Sequence, residues 1–233
     1  MTQVYQLVSK SGGVNYSPFV IWSELFLLHK NIEYTTVPLT FLDISPTIKK
    51  LTDDKWDKVP TIKLSNGDII FDSFEICSYL DEKYPENLIR RGSKAETTIF
   101  EFFKSLGQCT FKLIILDLEA NMDAINSAHL RKSKETLYGM TLEEFAANPE
   151  SNVTQFYQAT QLLAPLLTSA PFFEGEEPGF CDYLVAGRIQ PLRNINPKLY
   201  HKLIHENPNN GISEWARRVD ELFGGYLKKM KSL

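Results

Sequence analysis

The stretch KVPTIKLSNGDIIFDSFEIC, Lys58 to Cys77, decides how this chain folds. A proline stands inside what otherwise reads as a strand. A β-branched run follows, then Asn66-Gly67, then a second apolar strand, and last Asp72-Ser73 ahead of an apolar helix pattern. Asn66-Gly67 predicts a two-residue hairpin, because a type I′ turn needs positive φ at both central positions. Pro60 lacks the N–H that a ladder uses, which suits the first residue of a strand. Asp72-Ser73 predicts a helix start, with the helix running from Phe74 to Tyr84 and ended by Pro85.

Upstream, Val4 to Val8 reads as a strand and Ser9 to Asn15 as a loop rich in Ser and Gly. Ser17-Pro18 opens a helix, since Ser caps well and Pro is favoured at the first helical position. Trp22, Leu25, Phe26 and His29 follow at helical spacing. Glu33 to Leu39 is a second strand, and Ser45-Pro46 predicts a second helix start with a short helix over Thr47 to Leu51. The order is β-α-β-α-β-β-α. A parallel crossover joins the first two strands and the last two are antiparallel, giving a small α/β domain with a mixed four-stranded sheet.

From about Lys94 the strand signals fade and helical periodicity takes over. Thr97 to Ile125 reads as one long helix, followed by Val153 to Leu167, Cys181 to Ile195 and Ser213 to Lys229. Leu130 to Leu137 and Leu142 to Ala147 read as short helices. The expected division is an α/β domain over 1–85, a polar linker over 86–93 and an all-helical domain over 94–233.

The composition is that of a soluble globular protein, with 43% hydrophobic and 23% charged residues in a chain of 233. A net charge of −4 argues against nucleic acid or an anionic membrane as the main partner. No apolar run is long enough for a membrane span. The start, MTQVYQLVSK, reads as a strand and lacks the features of a signal peptide, so the expected location is cytoplasmic. Cys77, Cys109 and Cys181 are far apart with no CxxC spacing, which points to free thiols. His201 and His205 share i,i+4 spacing but have no further ligands nearby in sequence, so no metal site is expected.

Three stretches carry a resemblance: SPFVIW, KVPTIKLSNGDIIFDSFEICSYLDEKYP and GFCDYLVAGRI. Together they span nearly the whole chain and resemble the glutathione transferase superfamily. The first resembles the Ser-Pro opening of the fungal etherase-type glutathione transferases, related to bacterial β-etherases. The resemblance implies a thioredoxin-like domain followed by an all-α domain, with glutathione as co-substrate. It also implies a cis peptide at Val59-Pro60, with the cysteinyl backbone of glutathione pairing with Val59 like an added strand. Ser73 and its N–H would hold the γ-glutamyl carboxylate at a helix start, and Asp72 would face the γ-glutamyl ammonium. Lys58 would reach the glycyl carboxylate, with Thr40, Lys55 and Trp56 in the same region. Phe41-Leu42-Asp43 stands where a clear basic or amide contact to that end is wanted. The plain alternatives are a strand-edge proline and an ordinary helix cap.

Ser17 is the expected catalytic residue. A helix N-terminus and a hydroxyl aimed at the sulfur both favour a thiolate. Asn15 and Tyr16 are competing sulfur contacts, and Tyr5 ranks below them because it sits mid-strand. No cysteine stands in this segment. The expected reaction is therefore thiolate attack on an electrophilic carbon, or cleavage of an aryl ether, rather than exchange through a mixed disulfide. Phe103 and Phe111, chosen from several helical aromatics, are candidates for the wall of an acceptor pocket for a small hydrophobic substrate. Asp182 fits the acidic N3 position of a helix cap in GFCDYLVAG, although Gly179 stands at the N-cap where the family prefers Ser or Thr. Dimerisation is common in this superfamily, but nothing in the sequence specifies an interface. A non-catalytic glutathione-binding regulator or carrier of apolar ligands is the alternative function.

Overall fold

A computed structural model describes residues 1–233. Four strands, β1 (Thr2–Leu7), β2 (Tyr34–Leu39), β3 (Thr61–Lys63) and β4 (Ile69–Phe71), form one sheet in the order β2-β1-β3-β4. β1 and β2 are parallel, and the other two pairs are antiparallel. Val4 lies opposite Thr36 on one side and Ile62 on the other, and both Val4 and Ile62 are fully buried. Around the sheet lie α1 (Pro18–His29), α2 (Phe41–Thr52) and α3 (Ser73–Lys83). The fold is a thioredoxin-like domain with a mixed four-stranded sheet, followed by a helical domain, as the residue pattern and the resemblance imply.

The helical part holds α4 (Lys94–Leu106), α5 (Cys109–Ala120), α6 (Ala124–Tyr138), α7 (Leu142–Phe145) and α8 (Pro149–Gln161). It continues with α9 (Phe180–Ile195), α10 (Pro197–Tyr200), α11 (Asn210–Glu221) and α12 (Tyr226–Lys229). One apolar core of 49 buried residues runs through both parts, so the two domains fold against each other rather than hang on a linker. α1 and α9 form the joint. Trp22 Nε1 donates to Leu184 O at 2.8 Å, and Phe26 stacks on Phe180 at 5.8 Å. Lys30, its side chain fully buried, pairs with Asp81 at 2.7 Å and donates to Tyr84 O. Asp81 in turn accepts from the backbone of Ile89 and Arg90, which fastens the segment between α3 and α4.

Four local expectations are corrected. The β3–β4 connection is a three-residue loop, Ser65 to Gly67, closed by Leu64 N–H to Asp68 O at 2.8 Å. Gly67 alone has positive φ, 97°, so this is the longer hairpin with a glycine bulge, not a type I′ turn. α2 begins at Phe41, not after Ser45-Pro46. The Asp43 carboxylate accepts from the N–H and Oγ1 of Thr40, a stronger start signal upstream that leaves Pro46 inside the helix. The long helix expected over Thr97 to Ile125 is two helices, broken at Gly107 with φ 52°. The last predicted helix ends at Glu221, because Phe223 adopts φ 52° and α12 starts afresh at Tyr226.

Candidate functional site

The topology gathers the predicted residues at one end of the sheet. The C-terminal end of β1 leads into the loop before α1, and Val8 and Asn15 form a bridge that folds this loop back on the strand. β3 runs antiparallel to β1, so its first residues lie at that same end, and Thr61 pairs with both Tyr5 and Phe71. Val59 and Pro60, just before Thr61, thus stand beside Asp72 and Ser73, just after Phe71.

Ser17 is the N-cap of α1, in extended conformation with Pro18 at the first helical position. Its Oγ accepts from Val20 N–H at 3.4 Å, a long bond, and the residue is 6% exposed. The N–H of Ser17 donates to Asn15 Oδ1 at 3.0 Å. Asn15 Nδ2 donates to Glu24 Oε2 at 3.4 Å, and its carbonyl accepts from Asn194 Nδ2 at 2.8 Å. The Asn15 side chain is thus held by Ser17 and Glu24 and orders the loop.

Sequence reasoning missed Glu24. It is fully buried, accepts from Gln6 Nε2, and carries a pKa pushed up to about 7 by burial, which outweighs its hydrogen bonds to Gln6 and Tyr226. The available signal was α1 itself, buried on every face from Val20 to Leu27, where a lone acid must find partners.

Tyr16 takes another direction from Ser17. Its hydroxyl is buried without a partner, and burial holds its pKa far above the usual phenol value. It lines a recess with Pro18, Phe111 and Arg188. Phe103 is not part of this recess; it stacks on Trp22 at 6.0 Å beside Phe100 and Phe102. The two candidate pocket phenylalanines are therefore separated. Tyr5 packs with Leu39, Ile44 and Ile48 in a small core of its own.

The Val59–Pro60 peptide is cis, and neither the N–H nor the C=O of Val59 has a hydrogen-bond partner in the chain. Asp72 adopts φ 69° and ψ 132°, outside the main allowed regions, a departure that clusters at functional sites. Its Oδ1 accepts from Phe74 N–H at 2.8 Å and Glu75 N–H at 3.4 Å, leaving Oδ2 unengaged. Glu75 does not reach back, so only half a capping box is made. Ser73 opens the helix with its N–H and Oγ both unpartnered. Lys58 is exposed and lies over the Trp56 ring at 5.7 Å, while Trp56 stacks on Phe71 with its Nε1 buried and unpartnered. Thr40 is engaged with Asp43 in the α2 start.

Away from this site, Asp182 is fully buried. Its Oδ2 accepts from Gly179 N–H at 3.0 Å, and its Oδ1 from Phe173 N–H at 3.1 Å and Trp215 Nε1 at 2.7 Å. The three cysteines are free and buried, and burial raises the Cys109 thiol to about 11 and Cys77 to about 12. At neutral pH these thiols stay protonated and are poor nucleophiles.

Among curated relatives, a glutathione S-transferase-like protein, ustS, from Aspergillus flavus is 21% identical, with 90% of this chain and 86% of that protein covered. Glutathione S-transferase U12 from Arabidopsis thaliana is 25% identical over 87% of this chain and 73% of that protein. Among solved structures, a glutathione S-transferase of Ceriporiopsis subvermispora in complex with glutathione superposes with a TM-score of 0.72 at 19% identity, covering 98% of this chain and 96% of that one. Glutathione transferase GSTFuA3 from Phanerochaete chrysosporium gives 0.72 at 17% identity, covering 98% and 93%. At such identities these structures speak for the fold alone. The sequence itself matches the glutathione S-transferase N-terminal domain over residues 16–83 and the glutathione S-transferase C-terminal domain over 98–221. The first match holds Ser17, Val59, Asp72 and Ser73, the second holds Asp182, and a chain that matches both halves in order belongs to the glutathione S-transferase family.

Proposed function

We propose that the protein is a glutathione transferase that activates the glutathione thiolate at Ser17 for attack on apolar, aromatic electrophiles, aryl ethers among them. The observation that carries this reading is the cluster of unsatisfied groups at one sheet end. Ser17 Oγ has a single long bond, the main chain of Val59 is unpaired, and the N–H and Oγ of Ser73 are free. An extended peptide with an anionic γ-glutamyl end matches that set, with its main chain on Val59 and its carboxylate at the α3 start. Asp72 Oδ2 faces the ammonium. Lys58, exposed over the Trp56 ring, is the cation for the glycyl carboxylate.

At Ser17 the hydroxyl donates to the thiolate, and the dipole of α1 with the one free N–H of its first turn, that of Phe19, adds to its stabilisation. The sulfur then attacks carbon, a C–S bond forms, and the leaving halide or aryloxide departs with its electron pair. The buried protonated cysteines and the serine at this position favour the thioether product over disulfide exchange.

The test is glutathione-dependent turnover of model aryl halides and aryl ethers by wild type and Ser17→Ala. Loss of one hydrogen bond to the thiolate lowers kcat/KM by about 10- to 100-fold. The ultraviolet absorbance of bound thiolate at slightly acid pH falls with it. Equal turnover in both proteins removes Ser17 from the mechanism, and no turnover of any electrophile by wild type removes the transferase reading.

A further inference from the structure

The recess beside Tyr16 holds two polar groups that the protein leaves unmatched. It is lined by Tyr16, Pro18, Phe111, Ile114, Arg188 and Leu192 among others. Tyr16 Oη and Arg188 Nε are both buried and neither has a hydrogen-bond partner. Arg188 makes one hydrogen bond, from Nη2 to Gly107 O at 3.2 Å, where the break between α4 and α5 presents that carbonyl. No carboxylate pairs with it. The contrast is Arg193 five residues on, which pairs with Asp220 at 2.6 Å. The titratable neighbour of Arg188 is Cys109, whose thiol burial keeps protonated. A half-buried guanidinium stays charged, and a charge drawn out of water ordinarily has a partner. Here the chain supplies none.

We infer that this recess is a carboxylate subsite for the electrophilic substrate, an inference that rests on the transferase reading above for its place in the reaction. Tyr16 and Pro18, the residues on either side of Ser17, both line the recess although Ser17 itself does not, so a group seated in it lies at the start of α1, one residue along the chain from the proposed thiolate partner. Arg188 Nη1 makes no hydrogen bond within the chain and is the donor a carboxylate meets first, while the enclosed Nε and Tyr16 hydroxyl join it after a small side-chain shift. The remaining walls are apolar, from Phe111, Ile114 and Leu192. The open volume is about 50 Å³, against the roughly 10–15 Å³ that one water requires. That space suits a small head group whose apolar body stays in the cleft. The substrate class is an apolar, aromatic electrophile ending in a carboxylate.

The test separates binding from turnover. Calorimetry compares para-butylbenzoate with its uncharged match, para-butylbenzyl alcohol. Kinetics compares para-(chloromethyl)benzoate with its methyl ester in the presence of glutathione. Wild type binds the benzoate at least about 10-fold more tightly than the alcohol, Arg188→Met abolishes that preference, and Tyr16→Phe reduces it about 3-fold. The acid-to-ester ratio of kcat/KM falls in step.

Equal binding of both probes by wild type overturns the subsite, as does an undiminished preference in Arg188→Met. Should circular dichroism show Arg188→Met unfolded, Arg188→Lys and Tyr16→Phe decide: a preference intact in both overturns the inference. Benzoate preference with no turnover of either chloride or of the model aryl halides and ethers overturns the transferase reading and leaves the subsite standing. Turnover of both chlorides with no preference does the reverse.

Discussion

Gly187 lies so close to Trp22 that a methyl group on it would sit 2.2 Å from Trp22 Cδ1. The contact is at the joint between the two domains, where α1 meets α9 and Trp22 Nε1 donates to Leu184 O. Gly187→Ala gains helix propensity of up to about 1 kcal/mol, but overpacking a rigid joint costs about 1–3 kcal/mol. The expected outcome is a lower denaturant midpoint with an unchanged slope. An unchanged or higher midpoint would show that the joint yields.

Asp182 accepts from three donors in a dry environment. Asp182→Ala leaves Trp215 Nε1 and two backbone N–H groups unpaired, at a cost of roughly 3–5 kcal/mol. None of these residues lies at the Ser17 end, so specific activity per folded molecule changes little. Urea melts and active-site titration, run on one preparation, separate the two effects. Normal melting with lost activity would contradict this assignment.

Glu24 makes stability depend on pH. Burial raises its pKa from 4.5 to about 7, so the folded state holds the proton more firmly than the unfolded state. The stabilisation that results is complete below about pH 4.5 and is lost as pH rises through about 7, at most roughly 3 kcal/mol. Glu24→Gln flattens the unfolding free energy across that window. Parallel pH profiles for the variant and wild type would place the titration elsewhere.

Lys30 and Asp81 tie the segment before α4 to the first domain. Lys30→Met leaves Asp81 without its cation and costs about 3 kcal/mol. A double-mutant cycle with Asp81→Asn gives a coupling of about 1–3 kcal/mol. Additive single effects would mean the pair contributes only through its separate backbone bonds.

Only one oxygen of Asp72, Oδ1, is engaged by the chain, and the proposed function gives the other to the ammonium of glutathione. Asp72→Asn keeps the Oδ1 cap on Phe74 and Glu75 but removes the charge. Stability holds within about 0.5 kcal/mol while KM for glutathione rises about 10-fold. Asp72→Ala loses both, with about 1 kcal/mol of helix cap gone as well. If Asn and Ala raise KM alike without a stability difference, the cap and the charge are not separable as argued.

Much of this was legible in the sequence because it rests on local main-chain chemistry. Ser17 and Asp72 each cap a helix that begins at the next residue, and orphan N–H groups announce themselves through short polar side chains. The break at Gly107 was not legible, since an apolar period of similar phase continues on both sides and one glycine does not interrupt it. The second Ser-Pro pair misled because the Thr40 and Asp43 start lies a turn upstream. The partners of Asn15 and Arg188 were out of reach for a different reason. Asn194 is 179 residues from Asn15, and Gly107 is 81 from Arg188, so only the packed core brings them together.

Val59 offers its main chain, not its side chain, and that divides the site by how it responds to mutation. Every residue except proline carries the same N–H and C=O, so almost any substitution at this position preserves the polar contact. Tyr16 and Arg188 offer side chains, which a single base change can delete. Under the proposed function, a contact shielded from sequence drift serves the same reaction as a wall that drift can redraw, so that a lineage could acquire new acceptors while its peptide partner stays the same.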